Sequence, residues 1–475
     1  MSRQHIAPLW NALDAYRRKD EGSYHVPGHK NGTIFESKAQ GTFRSTLEID
    51  ATEIQRLDDL HFATGVIKEA EQLASLHFGS GKTHFLVNGS TSGNLAMILA
   101  VCRRGERVLV QRNVHKSIIH GLELAGAEPV FLAPEQGVET ERFDTLTVDR
   151  VREGFHQYPD ATALLLTYPD YFGHTFDLSS ITSFAHEKGL PVLVDEAHGV
   201  HFSLDDHFPD SALSCGADVV VQSAHKMAPA MTMGAYLHMK GDLVSRERLT
   251  YMLQVVQSSS PSYPIMASLD LCRKYLAEWK DEGLFSFLAE LREEMDSFTE
   301  AWEVLPSSLG DDPLKVCLRP RATDGFTLAA MFEERGISPE MATSEDVLLT
   351  FGLEIPDSWE TDKRLFYDVA GSLQKKKNHD KIKRTEIPFP AVQQLDAGFE
   401  HMKDLKRKKV PLEKSVGSIA GEAIIPYPPG IPLVLKGERI RREQVEKIRV
   451  LMKEGAMFQN ENLNEEVTIF LEEWS

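Results

Sequence analysis

From about residue 84 to 240 two hydrophobic patterns alternate along the chain. Short apolar runs rich in Val, Leu and Ile recur at Phe85–Val87, Val108–Val110, Pro129–Leu132, Ala163–Thr167, Pro191–Val194 and Asp218–Val221. Runs this short, without polar alternation, predict strands buried on both faces. Between them lie stretches with apolar residues at helical spacing, at Asn94–Cys102, Ser117–Ala125, Val148–Gly154 and Leu178–Lys188. Such alternation implies parallel crossover units, so the predicted fold is α/β, a mostly parallel sheet with helices on both faces. Ligands of these sheets sit beyond the carboxyl ends of the strands, and the chemistry is expected there.

After about residue 290 the pattern becomes strand-like Lys315–Leu318, helix-like Thr327–Arg335 and strand-like Val347–Leu353, which predicts a smaller α+β domain. The basic run Gln374–Lys381 reads as a solvated face or loop. Ile425–Pro432 is too rich in proline for a helix or a central strand and predicts a rigid extended loop. Gly79–Thr83 imitates the end of a phosphate-binding P-loop, but Leu76 stands where that motif needs glycine, and a strand-like run follows where it needs a helix.

Composition narrows the partners. The 475 residues exceed one hydrophobic core. With 52 basic and 71 acidic residues the net charge is −19, which argues against nucleic acid and suits a cationic small substrate. Cys102, Cys215, Cys272 and Cys317 show no metal or disulfide spacing and read as reduced thiols. The N-terminal residues carry no apolar signal core, and no apolar run approaches the ~18 residues of a membrane span. A cytoplasmic protein with no membrane partner is expected.

Two strand ends carry unusual residues. One apolar run ends in Asp195-Glu196-Ala197-His198-Gly199, and the next in Ser223-Ala224-His225-Lys226, which places a lysine at the mouth of the sheet. Pyridoxal phosphate (PLP) needs a lysine there, dry enough to lose its charge, and an acid that keeps the ring nitrogen protonated. Its phosphate needs a helix N-terminus with hydroxyls, and the glycine turn before Ser90, Thr91 and Ser92 supplies one. Each piece alone is more often a cap or a solvated strand end. Three together, at strand ends of one sheet, point to the cofactor.

With these residues in view the chain resembles the fold-type-I PLP decarboxylases of ornithine, lysine and arginine, in their short bacterial form. The resemblance rests on His25-Val26-Pro27-Gly28-His29-Lys30, Leu57–His61, Arg112–Ser117, Asp195–Gly199, Ser223–Lys226 and Pro426–Pro432. It implies that Lys226 carries the cofactor covalently, that Asp195 pairs with the ring nitrogen, and that His115 stacks on the ring with Ala197 and His198 against its other side. Ser90, Thr91, Ser92, Ser223 and His225 hold the phosphate, and Lys226, His225 or His198 returns the proton. Ser258–Tyr263 looks like the segment that reaches a neighbouring subunit's cofactor, which adds Ser260 and implies a homodimer or larger with shared sites. The implied division is 1–50 at the subunit interface, 51–300 binding PLP, 301–385 a small α+β domain and 386–475 a C-terminal domain.

The implied reaction is decarboxylation of a basic amino acid. A distal cation in a dry pocket needs an acid partner, for which Glu422 is favoured over Asp59 in the Asp58-Asp59 pair, with His29 beside them. A planar carboxylate suits a guanidinium, so arginine is the first expectation, then lysine or ornithine. The loop Tyr168–Gly173 departs from the family's usual Asn-x-Thr-Tyr-type stretch. Amino transfer on the same fold, with Arg319 or Arg321 as carboxylate partner, and a non-catalytic PLP-binding relative stand as alternatives.

Overall fold

The computed structural model describes residues 3–19, 22–137, 142–305, 310–373, 389–427, 431–460, 462–463 and 466–471. The basic run 374–381 and residues 428–430 of the proline-rich loop lie outside the described residues. Two compact units divide the chain, the first made of Met1–Cys102, Ala163–Tyr168 and Leu178–Lys280, the second of Arg103–Thr162, Pro169–Asp177 and Asp281–Ser475.

In the first unit, the strands Leu164–Thr167, Val192–Asp195 and Val219–Gln222 lie side by side in parallel, as their unbroken apolar runs predict. Their apolar side chains are almost wholly withdrawn from water. The mostly parallel sheet also takes in antiparallel strands. Ala235–Met239 runs antiparallel to Val219–Gln222, and Lys82–Leu86 runs antiparallel to Ala235–Met239. Helix Val66–Phe78 ends at Gly79 in the left-handed conformation (φ 68°), a C-cap that only glycine adopts without strain, and the strand follows. The P-loop imitation is therefore a helix stop. The start of that helix is held by Asp58, whose carboxylate accepts from the backbone N–H groups of Thr64, Gly65 and Ile67. Helix Gly89–Val101 begins five residues before the expected Asn94, because its first turn is built from Ser90, Thr91 and Ser92 rather than from apolar residues.

In the second unit, Arg107–Gln111 pairs in parallel with Glu128–Leu132, and Val392–Gln394 adds antiparallel to the latter. The small α+β domain has an antiparallel sheet ordered Trp302–Val304, Lys315–Pro320, Val347–Thr350, Met341–Ala342, with helix Gly325–Glu333 against it. Arg407–Val410, Val467–Phe470 and Ile419–Ala420 form a third sheet over a small core that includes Ile424, Val434 and Ile448. The proline-rich stretch is not wholly loop. Pro426–Tyr427 pairs with Met457–Phe458 as a two-residue edge strand, where a missing proline N–H costs no ladder bond.

Candidate active site

Asp195 closes the strand Val192–Asp195 and is buried. Its Oδ2 accepts a 2.8 Å hydrogen bond from Asn94 Nδ2, on the first half of helix Gly89–Val101. Its Oδ1 is buried with no hydrogen-bond partner among the described residues. A carboxylate is costly to bury half-satisfied, so this oxygen marks a place for a cationic N–H donor. The neighbouring strand Val219–Gln222 leads into the short helix Ala224–Met227, which carries Lys226. Lys226 Nζ lies 3.2 Å from His198 Nε2. The Ser223 hydroxyl is buried and likewise has no partner among the described residues. His225 Nδ1 lies 3.1 Å from the Gly234 carbonyl, which can only accept, so Nδ1 carries a proton.

The helix at Gly89 follows Asn88 with no side-chain cap. By helix geometry the N–H groups of its first turn have no acceptor within the helix. Ser90 is half-buried and Thr91 exposed, while the Ser92 hydroxyl donates to the Gly89 carbonyl at 2.8 Å. The buried oxygen of Asp195, the hydroxyl of Ser223, the lysine three residues after it and the uncapped hydroxyl-rich helix fit a planar cationic heterocycle bearing an aldehyde and a phosphate. They fit PLP.

The remaining expected residues have local partners. His61 Nε2 bonds the Ser258 carbonyl at 2.9 Å, at the head of the Ser258–Tyr263 run that holds Ser260. His29 lies 3.2 Å from Asp50 and accepts from Gly32 N–H. Asp59 accepts from His61 N–H at 2.8 Å. In the second unit, His115 caps helix Lys116–Ala125, its Nδ1 accepting from Ser117 N–H. Glu422 accepts from Thr468 N–H at 2.7 Å and from Asn460 Nδ2 at 3.2 Å. Arg112, in the same motif as His115, is buried. It donates to the Pro432 carbonyl at 2.9 Å and to Glu438 at 3.0 Å, which ties down the chain that leaves the proline-rich loop.

A separate cavity of about 880 Å³ in the first unit is lined by His61, Glu71, Thr83, His84 and Gln257 among others, and contains none of the expected cofactor residues. Sequence reasoning also passed over Asn94. Its signal was a lone amide between a glycine and the apolar run Leu95–Val101.

Comparisons with known proteins place the chain among decarboxylases. A family model described as Orn/Lys/Arg decarboxylase, major domain, matches residues 7–310, and the C-terminal domain model of the same family matches residues 377–460. An uncharacterized protein of Bacillus subtilis, YaaO, is 43% identical over 94% of each chain. An arginine decarboxylase of the same organism is 32% identical, covering 94% of this chain and 93% of its own. Among solved structures, the constitutive lysine decarboxylase of Escherichia coli superposes with a TM-score of 0.79 at 18% identity, over 98% of this chain and 82% of that one, a likeness of fold.

Proposed function

This chain belongs to the Orn/Lys/Arg decarboxylase family and is a PLP-dependent decarboxylase of basic amino acids, and from that premise we propose that its substrate is arginine. The observation that carries the proposed site is the buried, half-partnered Asp195 carboxylate at one strand end, with Lys226 following the end of the adjacent strand. The similarity to an arginine decarboxylase over almost the whole of both chains supports the choice of substrate.

The proposed roles follow from what each group can do. PLP, when bound, supplies an electron sink for the pair left as carbon dioxide departs. Asp195 keeps a proton on the ring nitrogen, and Asn94 holds the carboxylate in place for that task. Lys226 carries the cofactor. Lys226 Nζ and His198 Nε2, 3.2 Å apart, hold the proton that returns to the α-carbon. Ser223, His225 and the first turn of helix Gly89–Val101 bind the phosphate, and Ala197 lies against the ring. His115 is proposed to stack on the ring, and Ser260 to complete a neighbouring subunit's site. Glu422 is proposed as the partner of the distal cation. A carboxylate has about four lone-pair positions, and two are used by Thr468 and Asn460. Asp58 is occupied in capping a helix, which argues against it for the cation.

For amino transfer, Arg319 would need to be available to a substrate carboxylate. It is held instead by the buried Asp346, Nε to Oδ1 at 2.8 Å, an observation that favours decarboxylation. The test is purified enzyme with arginine, lysine and ornithine in turn, reading the amine and carbon dioxide. Arginine is expected to give kcat/KM at least about tenfold above the others, and Glu422→Gln to raise its KM by about tenfold. Faster release from lysine or ornithine would overturn the assignment.

A further inference from the structure

One buried polar chain crosses the first unit's sheet with a side chain from each of four adjacent strands or strand ends. Glu196 Oε1 accepts from Ala212 N–H at 2.6 Å, and its Oε2 accepts from Gln222 Nε2 at 2.6 Å. Gln222 Oε1 lies 2.9 Å from His238 Nε2. His238 Nδ1 lies 2.8 Å from Thr83 Oγ1, which lies 2.8 Å from Ser80 Oγ. Glu196, Gln222, His238 and Thr83 are each at most 1% exposed. Burial depresses the His238 ring to about 3, so it is neutral and carries one N–H. The order of donors follows. Gln222 turns its NH₂ to Glu196 and its oxygen to His238, so the ring proton sits on Nε2 and Nδ1 accepts from the Thr83 hydroxyl. Burial pushes the Glu196 carboxyl up to about 8 while the Ala212 and Gln222 donors pull it down. The geometry drawn by those two donors is that of the ionised form.

The chain sits directly under the chemistry. Glu196 follows Asp195, and Gln222 precedes Ser223 and Lys226. Glu196 also opens the turn that carries His198, closed by Gly199 N–H to the Glu196 carbonyl at 3.0 Å. That turn is packed so closely that a Cβ on Gly199 would stand 2.6 Å from Glu196 Cγ. The same turn brings His198 to Lys226. A fully satisfied buried network fixes one arrangement where an apolar core would accept several.

We propose that Glu196 and Gln222 are positioning residues for the decarboxylation, a lock between the two strand ends that carry Asp195 and Lys226, with His238 and Thr83 holding the Gln222 amide in the orientation the lock needs. This rests on the reading that Asp195 and Lys226 hold the cofactor. Gln222→Met removes the donor and the acceptor at little change in shape. Glu196→Gln keeps a bond at every step, because the Gln222 amide can turn over, His238 can move its proton to Nδ1 and the Thr83 hydroxyl can rotate to Ser80.

The experiment measures kcat and KM, the pH midpoint of the bound-cofactor absorption band, and amide exchange across residues 195–199 of the cofactor-free protein. Gln222→Met is expected to lower kcat by about tenfold with KM within about twofold, to displace the midpoint and to speed exchange, whereas Glu196→Gln stays within about twofold of wild type. Should Gln222→Met not fold, Thr83→Val removes the donor to His238 Nδ1 isosterically and is expected to lower kcat about threefold with the same spectral shift. Folded variants with wild-type kcat, midpoint and exchange overturn the lock, as does Glu196→Gln damaged as severely as Gln222→Met. If the wild type releases no carbon dioxide from any basic amino acid, the functional reading fails by itself, while the exchange measurement still decides the lock.

Discussion

Asp195 has one oxygen held by Asn94 and the other buried without a partner among the described residues, and that asymmetry determines what its substitution does. Asp195→Asn can keep the bond to Asn94 but cannot stabilise a proton on the ring nitrogen. Turnover should fall on the order of a hundredfold, about 3 kcal/mol, with the cofactor retained. Steady-state kinetics with absorption spectra check this, and near-normal turnover would remove Asp195 from its role. Glu71 makes a prediction of a different kind. It is buried, accepts from Phe85 N–H at 3.0 Å, and burial pushes its carboxyl up to about 7. An acid raised in the fold contributes stability that is complete below its unfolded value near 4.5 and is lost as pH rises to about 7. His84 and His238 act in the opposite direction. Burial holds both neutral down to about 3, so their contribution is present above 6.5 and lost as pH falls. Comparing wild type with Glu71→Gln isolates the acid. Between pH 4.5 and 7 the wild type should lose up to about 3 kcal/mol relative to the variant in thermal unfolding. A constant difference across that range would contradict it. At this scale the sequence offered Asp195 and Lys226 as candidates, because one ends an apolar run and the other closely follows one. It concealed Asn94, Gln222 and His238, because an amide or imidazole inside an apolar run looks the same whether it is satisfied or exposed.

Among the elements, helix Gly89–Val101 owes its position to Gly93. A Cβ there would stand 2.7 Å from Leu86 Cδ1 and 2.8 Å from Val221 Cγ1, both on strands of the sheet below. Alanine ordinarily favours a helix over glycine by about 1 kcal/mol. Overpacking against two strand side chains costs about 1–3 kcal/mol, and since neither is the loose end of a long chain the clash should prevail. Gly93→Ala is therefore expected to lower the denaturation midpoint by the equivalent of about 1–2 kcal/mol, and a raised midpoint would refute the close packing. Six of the apolar runs predicted strands that formed within a few residues of their expected limits. Ala235–Met239 went unread because its buried run contains His238 and only the four-residue helix Ala224–Met227 separates it from the preceding strand, too short for the alternation rule to detect. The hydroxyls were read as preceding a helix that starts at Asn94 and instead form its first turn, since polar residues there interrupt the periodicity from which a helix is recognised.

At the scale of the whole molecule the fold is the α/β fold-type-I arrangement of PLP enzymes, and among the described residues no helix is long and apolar enough to cross a membrane. Tyr24, Val26 and Ile34 are 98, 65 and 63% exposed in the single chain, within the segment 1–50 expected at the subunit interface. Exposed apolar residues in that segment favour the proposed homodimer. Mixing Lys226→Ala protein with protein disabled in the Ser258–Ser260 run should restore activity through one intact composite site, whereas activity confined to a monomeric fraction would rule sharing out. The central claim is that one lysine at one strand end carries the cofactor. Borohydride reduction of the holoenzyme followed by peptide mapping tests it most directly. The adduct should be found on Lys226, in the peptide that contains Ser223-Ala224-His225-Lys226, and an adduct on any other lysine would contradict the account.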